Sequence, residues 1–317
     1  MYNGVGAQSP RVLVTGASGF VGSQLTLGLA RRGDFRVRTL SRSFCAGFPD
    51  SVDQLVSVAP FEAGALAQAV ADVDYIIHCA GRAHVMDNLP HKKALQAYRE
   101  VNVDYSVRLA NSALEAGVKR LIYLSSVKVN GESTGGRPPF HPLDEPKPED
   151  AYGLSKWEAE QAIKEALGGH CEWVVVRPPL VYGGGVKGNF ARLQAAVTAR
   201  KPLPLGLLNN KRSLISVSNL VDFLMFCLRH PRACGNVFIP CDQQDLSVRE
   251  LVLRLASAGN VRPVLLPVPV WCLTLAGRLL GQHKSINRLC GSLLVDHSHT
   301  KDWLGWTAPS VPFEKSG

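Results

Sequence analysis

The segment "TGASGFVG" sets Gly16, Gly19 and Gly22 at three-residue spacing. It limits the fold more than any other stretch, because of what flanks it. Before it, Arg11 to Thr15 (RVLVT) reads as a short buried strand. After it, "FVGSQLTLGLARRG" is helical in period, with Arg31 and Arg32 in its last turn and Gly33 as its stop. A second strand follows from Arg36 to Leu40. A β-α-β unit of that length belongs to a doubly wound parallel sheet. Gly16 permits the tight turn, Gly19 lets the backbone approach a pyrophosphate, and Gly22 lets the helix pack closely on the strand. The helix N-terminus adds free N–H groups and positive potential. Gly16, Ser18, Gly19, Phe20, Val21 and Gly22 are therefore candidate contacts for a dinucleotide.

The pattern continues along the chain. "VDYIIHCAG" is a buried strand ending in small residues, among them Ala80 and Gly81. A helix is expected from about Ala94 to Ala116, then a strand in "VKRLIYLSSV", a helix in "YGLSKWEAEQAIKEAL" and a strand in "CEWVVVRPP", stopped by Pro178 and Pro179. Beyond Pro179 the pattern loosens. Helices are expected at about Asn189–Thr198 and Ser218–Leu228, and "NVFIP" reads as a strand returning to the first sheet. "SVRELVLRLASAG" is an amphipathic helix, with Ser247 and Glu250 forming a capping box. The expectation is an α/β chain with a doubly wound parallel sheet over residues 1–177, joined by a later strand near 236–240. Residues 178–317 then form a smaller, partly interleaved substrate lobe.

Composition excludes several classes. Hydrophobic residues are 46% of 317, enough for a sizeable core. The net charge of +9 favours anionic partners, but there is no run of Lys and Arg and no aromatic residues interleaved with a basic stripe. That argues for phosphorylated small molecules and against nucleic acid. The eight cysteines include no C-x-x-C pair, which fits reduced thiols in a cytoplasmic protein. "MYNGVGAQSP" has neither a basic nor an apolar region of a signal peptide. "VLLPVPVWCLTLAGRLLG" is broken by Pro267, Pro269 and Arg278, so no transmembrane span is expected. Its Trp271–Leu280 part reads as a packed helix of the substrate lobe, with an interfacial helix as the alternative. "DHSHT" offers Asp296, His297 and His299, but no further ligand cluster accompanies them, and no metal is expected.

The second strand ends at Ser41 and Arg42, where an acid would accept hydrogen bonds from an adenosine ribose. A hydroxyl and a guanidinium instead suit a 2′-phosphate. This end favours NADP(H), with NAD(H) as the alternative. Tyr152 and Lys156 lie four apart at the start of a helix and so share one face. A phenol is a poor acid–base group at neutral pH, and an adjacent ammonium makes its phenolate accessible. Tyr152 can then move a proton at the oxygen of a carbon that gains or loses hydride. Ser125 and Ser126 end a parallel strand, where sites form in such sheets. One hydroxyl can bond the substrate oxygen.

Together "TGASGFVG", "HCAG", "VNVDYSVRLANSA", "LSSVKVNG", "YGLSK", "VVVRPPLVYGGG" and "DHSHTKDWLGW" resemble an extended short-chain dehydrogenase/reductase of the nucleotide-sugar epimerase/dehydratase family. The resemblance runs along nearly the whole chain. It implies a Rossmann-type dinucleotide fold, Ser126 as the active serine, Asn102 shaping the site, and Lys156 also bonding the nicotinamide ribose. It further implies Pro178 beside the nicotinamide, and Asn189 and Arg212 at the diphosphate of a UDP-sugar, with Arg288 a weaker candidate. Two departures matter. Val127 and Lys128 replace the Asp-Glu pair that serves dehydration, and Ala59 and Pro60 stand where an acid near adenine is usual.

Three functions remain. The favoured one is NADPH-dependent reduction of a 4-keto nucleotide sugar, of 6-deoxy-HexNAc type, for a bacterial surface polysaccharide such as O-antigen. The alternative is a UDP-glucose or UDP-HexNAc 4-epimerase with retained NAD, the label that "SSVKVNGE" resembles. A non-catalytic dinucleotide-binding protein is the third, opposed by intact Ser126, Tyr152 and Lys156. A homodimer is left open as the assembly.

Overall fold

The computed structural model describes residues 9–83, 91–186 and 188–310. In chain order the first elements are β1 (Arg11–Thr15), α1 (Phe20–Arg32), β2 (Arg36–Ser41), β3 (Asp53–Val56), α2 (Ala63–Val70) and β4 (Tyr75–His78). Next come α3 (His91–Arg99), a π-helical turn (Glu100–Asp104), α4 (Tyr105–Glu115), β5 (Arg120–Leu124), α5 (Ala151–Leu167) and β6 (Glu172–Val176). The later elements are β7 (Leu180–Tyr182), α6 (Asn189–Thr198), β8 (Leu214–Ser216), α7 (Val217–Arg229), β9 (Asn236–Phe238) and α8 (Val248–Ala258). The last are α9 (Val270–Leu279), α10 (His283–Cys290) and α11 (Ser298–Leu304).

A seven-stranded sheet has the order β3-β2-β1-β4-β5-β6-β9, and every neighbouring pair from β3 through β6 is parallel. Its central strands are apolar runs buried on both faces, as a parallel sheet requires. The chain divides into two compact units. The first comprises the chain up to Ser125, Leu154–Val176 and Leu224–Asn236. Its core packs strand residues Leu13, Ile76 and Leu121 with Leu109 and Ala113 of α4 and Ile163 of α5. The second comprises Ser126–Gly153, Arg177–Phe223 and the chain from Val237 onward. It carries a two-stranded parallel sheet, β7-β8, and a core in which Leu251 and Leu255 of α8 join Phe190 and Val197 of α6.

Several local expectations hold for plain reasons. Gly33 ends α1 at φ 70°, in the left-handed region that glycine adopts without strain. Ser247 and Glu250 form the reciprocal capping box at the start of α8. Other expectations need correction. The helix expected from Ala94 to Ala116 forms as α3 and α4, joined through a π-turn at Asn102 that the sequence did not announce. β3 and α2 carry no legible period: β3 is a half-exposed edge strand and α2 is rich in alanine. The helix expected to pack at Trp271–Leu280 forms as α9, yet Trp271, Leu275 and Leu279 face solvent.

Candidate active site

The winding of the large sheet reverses between β1 and β4, and ligands of open α/β sheets settle beyond the strand ends at such a point. Gly16 follows β1 directly, at φ 71°. A Cβ there would lie 2.5 Å from the Ala80 nitrogen, so the turn after β1 runs backbone against backbone past the segment after β4. A Cβ on Gly22 would lie 2.2 Å from the Gly16 carbonyl oxygen, so the first turn of α1 also needs a glycine. Gly19 caps α1 without a side-chain bond, and no acid stands in the first turn. The Ser23 N–H closes onto the Gly19 carbonyl at 2.9 Å. The N–H groups of Phe20, Val21 and Gly22 come before that point and have no intrahelical acceptor. Ser18 is exposed beside them. This donor set, with no carboxylate opposing it, fits the diphosphate of a dinucleotide.

At the end of β2, the Ser41 hydroxyl donates to the Ser43 carbonyl at 2.6 Å. Arg42 is exposed. Beyond β4, Gly81 is closely bounded: a Cβ would meet Asn102 Oδ1 and Lys156 Nζ, each at 3.2 Å.

A buried polar chain links β1, β4 and the π-turn. The Thr15 hydroxyl meets His78 Nδ1 at 2.6 Å, and His78 Nε2 meets the Ser106 hydroxyl at 2.8 Å. Ser106 donates onward to the Asn102 carbonyl at 2.6 Å, so it accepts from His78 Nε2–H, which leaves Nδ1 to accept from Thr15. Burial, aided by the Lys156 charge, pulls the His78 pKa down to about 3, so the imidazole stays neutral. The Asn102 side chain accepts the Arg82 N–H at 2.8 Å and donates to the Arg82 carbonyl at 3.1 Å and the Ser155 hydroxyl at 2.9 Å. The wider helix turn presents this amide where a regular α-helix would carry the backbone onward.

Lys156 is buried in α5, its ammonium 2.8 Å from the Leu124 carbonyl and 3.1 Å from the Tyr123 hydroxyl. Burial lowers its pKa to about 8, against the opposing pull of Cys79 and Glu160. Ser125 gives its proton to the buried Glu160 carboxylate. Its hydroxyl is thereby committed, whereas Ser126 accepts the Lys128 N–H at 3.3 Å and keeps its own proton to donate. Ser126 caps a short 3₁₀ turn, Val127–Val129, and the Val127 N–H bonds the Pro178 carbonyl at 3.0 Å. Ser126 and Pro178 are thus brought together.

Tyr152 lies one helical turn before Lys156 on α5, so the two share a face. Asp150 caps this helix, accepting the Gly153 N–H at 2.7 Å. It also pairs with Lys128, whose ammonium bonds Glu132 at 3.0 Å and sits 5.8 Å from the Tyr152 ring centre. Burial opposes ionisation of Asp150, but Lys128 and the capping bond outweigh it and hold its pKa below the usual value. Arg288 joins the group through Glu132 at 2.7 Å and Asp150 at 3.6 Å. Arg212 donates to the carbonyls of Arg288 at 2.7 Å and Gly291 at 3.1 Å, closing the end of α10. Asn189 is the first residue of α6 and is exposed. Of the expected anion contacts, Arg212 and Arg288 are therefore brought together, with Arg288 already paired to carboxylates.

Asp150, Glu132 and the His78 chain had no place in the sequence reading. Asp150 had a legible signal, an acid just before a helical run. The others depend on partners far away in sequence.

The model of the family described as "NAD dependent epimerase/dehydratase family" matches residues 12–239. A UDP-glucose 4-epimerase of Vibrio cholerae is 43% identical over 305 residues, covering 95% of this chain and 91% of its own. An N-acetyl-α-D-glucosaminyl-diphospho-ditrans,octacis-undecaprenol 4-epimerase of Escherichia coli O157:H7 is 28% identical, covering 87% and 82%. Among solved structures, MoeE5 in complex with UDP-glucose and NAD aligns with TM-score 0.73 and 25% identity, covering 95% of this chain and 94% of its own. A UDP-N-acetylglucosamine 4-epimerase from Bacillus cereus gives TM-score 0.76 at 18% identity, covering 95% of each chain, and speaks for the fold alone. From the family match and the Vibrio relative together, the chain belongs to the NAD dependent epimerase/dehydratase family, as an enzyme of nucleotide-sugar type with a nicotinamide dinucleotide cofactor.

Proposed function

We propose that the protein is a UDP-sugar 4-epimerase that retains NAD, ahead of the NADPH-dependent 4-keto-sugar reductase that the Ser41–Arg42 end had favoured. The observation that carries this choice is the end-to-end likeness to the Vibrio UDP-glucose 4-epimerase. The β2 end is divided. The Ser41 proton is spent on Ser43, which leaves its oxygen to accept from a ribose hydroxyl. The exposed Arg42 guanidinium still offers donors to a 2′-phosphate.

In this reading the first unit holds the dinucleotide and the second holds the sugar nucleotide. The N–H groups of Phe20, Val21 and Gly22 bind its diphosphate, with Gly16, Ser18, Gly19, Ala80 and Gly81 bounding the crevice. Bound NAD would supply the acceptor for the C4 hydride and its return to the opposite face of the 4-keto sugar, which inverts C4. Tyr152 takes the proton of the C4 hydroxyl and gives it back. Lys156 stays an ammonium below about pH 8, favours the phenolate, and bonds the nicotinamide ribose. Ser126 donates to the sugar oxygen and orients it, Asn102 fixes the wall of the site, and Pro178 lies beside the nicotinamide. Arg212 and Asn189 face the UDP diphosphate, and Arg288 adds charge only after leaving Glu132.

The test is to denature the purified protein and identify the released cofactor by mass, then offer UDP-glucose and UDP-N-acetylglucosamine and follow the C4 configuration by NMR. Released NAD and interconversion of either sugar are expected. An empty site that takes up NADPH and consumes it with a 4-keto sugar returns the assignment to the reductase.

A further inference from the structure

Residues 251–295 contain no Asp or Glu, while Arg254, Arg262, Arg278, Lys284 and Arg288 fall within them. Nearly half of the large hydrophobic side chains that stand exposed among the described residues lie between positions 264 and 280. α9 is the centre of this patch. Its inner face is already packed: Leu273 is buried, and a Cβ on Gly277 would lie 2.7 Å from Ile286 of α10. Its outer face presents Trp271, Leu275, Arg278 and Leu279, at helical spacings of four, seven and eight. The three apolar residues there are 68%, 50% and 79% exposed. A helix apolar on both faces is ordinarily buried on both. Here one face is left over.

Charge decides what fits that face. Arg278 on that face and Arg262 in the segment leading to α9 are exposed and have no ion pair among the described residues. No carboxylate of the surrounding stretch opposes them. Trp beside Leu and Arg is the side-chain set of an interfacial helix, in which the ring and aliphatic chains enter the headgroup boundary and the guanidinium reaches back to phosphate. α9 has ten residues, and no described helix is long and apolar enough to cross a membrane. A helix of this kind lies on the surface rather than spanning it.

We propose that the outer face of α9 docks on an anionic lipid bilayer, with Trp271, Leu275 and Leu279 in the headgroup–acyl boundary and Arg262 and Arg278 against lipid phosphates. None of these residues belongs to the machinery assigned to catalysis, so the proposal stands or falls apart from the epimerase reading.

The experiment is flotation of the full chain with vesicles of equal parts phosphatidylglycerol and phosphatidylethanolamine, against vesicles of phosphatidylcholine alone. The parent floats with the anionic vesicles, and added salt weakens this without abolishing it. A Trp271→Ser, Leu275→Ser, Leu279→Ser variant loses at least about tenfold in partitioning, with sugar-nucleotide turnover in free solution unchanged. Because all three side chains are solvent-facing, the variant keeps the parent's thermal transition. Arg262→Gln with Arg278→Gln lowers binding to the anionic vesicles alone. Two outcomes overturn the proposal: the parent and the serine variant float equally, or neither floats. A third does so as well: the parent sediments without lipid as an oligomer that the serine variant dissolves, since protein then covers the face.

Discussion

At the scale of single residues, the arrangement depends on one buried ammonium. Lys156 is held by a carbonyl and a phenol, not by a carboxylate at contact distance, so burial wins and its pKa falls to about 8. An unfolded chain protonates the same lysine up to about 10.4. Between those values the unfolded state binds more protons, so stability rises with pH there. A Lys156→Met variant lacks this gain. The melting temperature of the parent, measured against that of the variant, is expected to climb from pH 8 towards 10.5 and to stay level below pH 8. A constant difference across the range removes the buried charge from the account. Tyr152→Phe is the companion test of chemistry. Turnover falls by at least about two orders of magnitude while the cofactor stays in the purified protein, and near-parent turnover takes Tyr152 out of its role.

At the scale of elements, α1 and α5 are held by opposite devices. α1 begins with no side-chain cap and no acid, which leaves its first N–H groups to a ligand. α5 begins under Asp150, whose carboxylate takes the Gly153 N–H and whose pairing with Lys128 fixes the turn that carries Tyr152. The open end costs α1 the stabilisation of a cap, about 1 kcal/mol, and ligand binding restores it. Gly22→Ala tests how tightly that end is built. The added methyl would sit 2.2 Å from the Gly16 oxygen, so the turn must move. A loss of about 1–3 kcal/mol in urea unfolding is expected, together with purification without dinucleotide. A variant that keeps both stability and cofactor shows that the turn has room to give.

At the scale of the molecule, long-range polar clamps join elements that hydrophobic packing alone would leave free to slide. Arg120 on β5 is the clearest within the first unit. Its guanidinium donates to the carbonyls of Cys227 and His230, at 3.0 Å for the latter, where α7 ends, and to Glu172 on β6 at 2.7 Å. Glu172 is half exposed, so the ion pair itself contributes little. The Cys227 carbonyl at the helix end contributes more, because a buried orphan costs about 1–3 kcal/mol, whereas the His230 carbonyl also accepts the Ala233 N–H at 3.1 Å. Arg120→Ala is expected to lower the unfolding free energy by roughly 2 kcal/mol, read from the urea midpoint at unchanged slope. A loss below the cost of one orphaned carbonyl means that water reaches the site.

What could be read directly from the chain is whatever neighbours in sequence decide. The glycine turn, the capping box of Ser247 and Glu250, and the four-residue spacing of Tyr152 and Lys156 are set by bonds that close within one or two turns. Hydropathy likewise marked the central strands, whose burial on both faces leaves an unbroken apolar run. Tertiary structure alone decided the rest. β3, β7 and β8 are too short to show a period and exist only through their partners. The π-turn at Asn102 forms where its side chain is claimed by Arg82 and Ser155, the latter 53 residues away. Arg288 is neutralised by Glu132, 156 residues away. The outer face of α9 is apolar in sequence like its inner face, and only the packing of α10 determined which of the two was left to solvent. Short-range order follows from backbone hydrogen bonding that each segment can satisfy alone. Pairing, protonation and exposure follow from which groups the folded chain brings within a few ångströms, and local sequence does not carry that information.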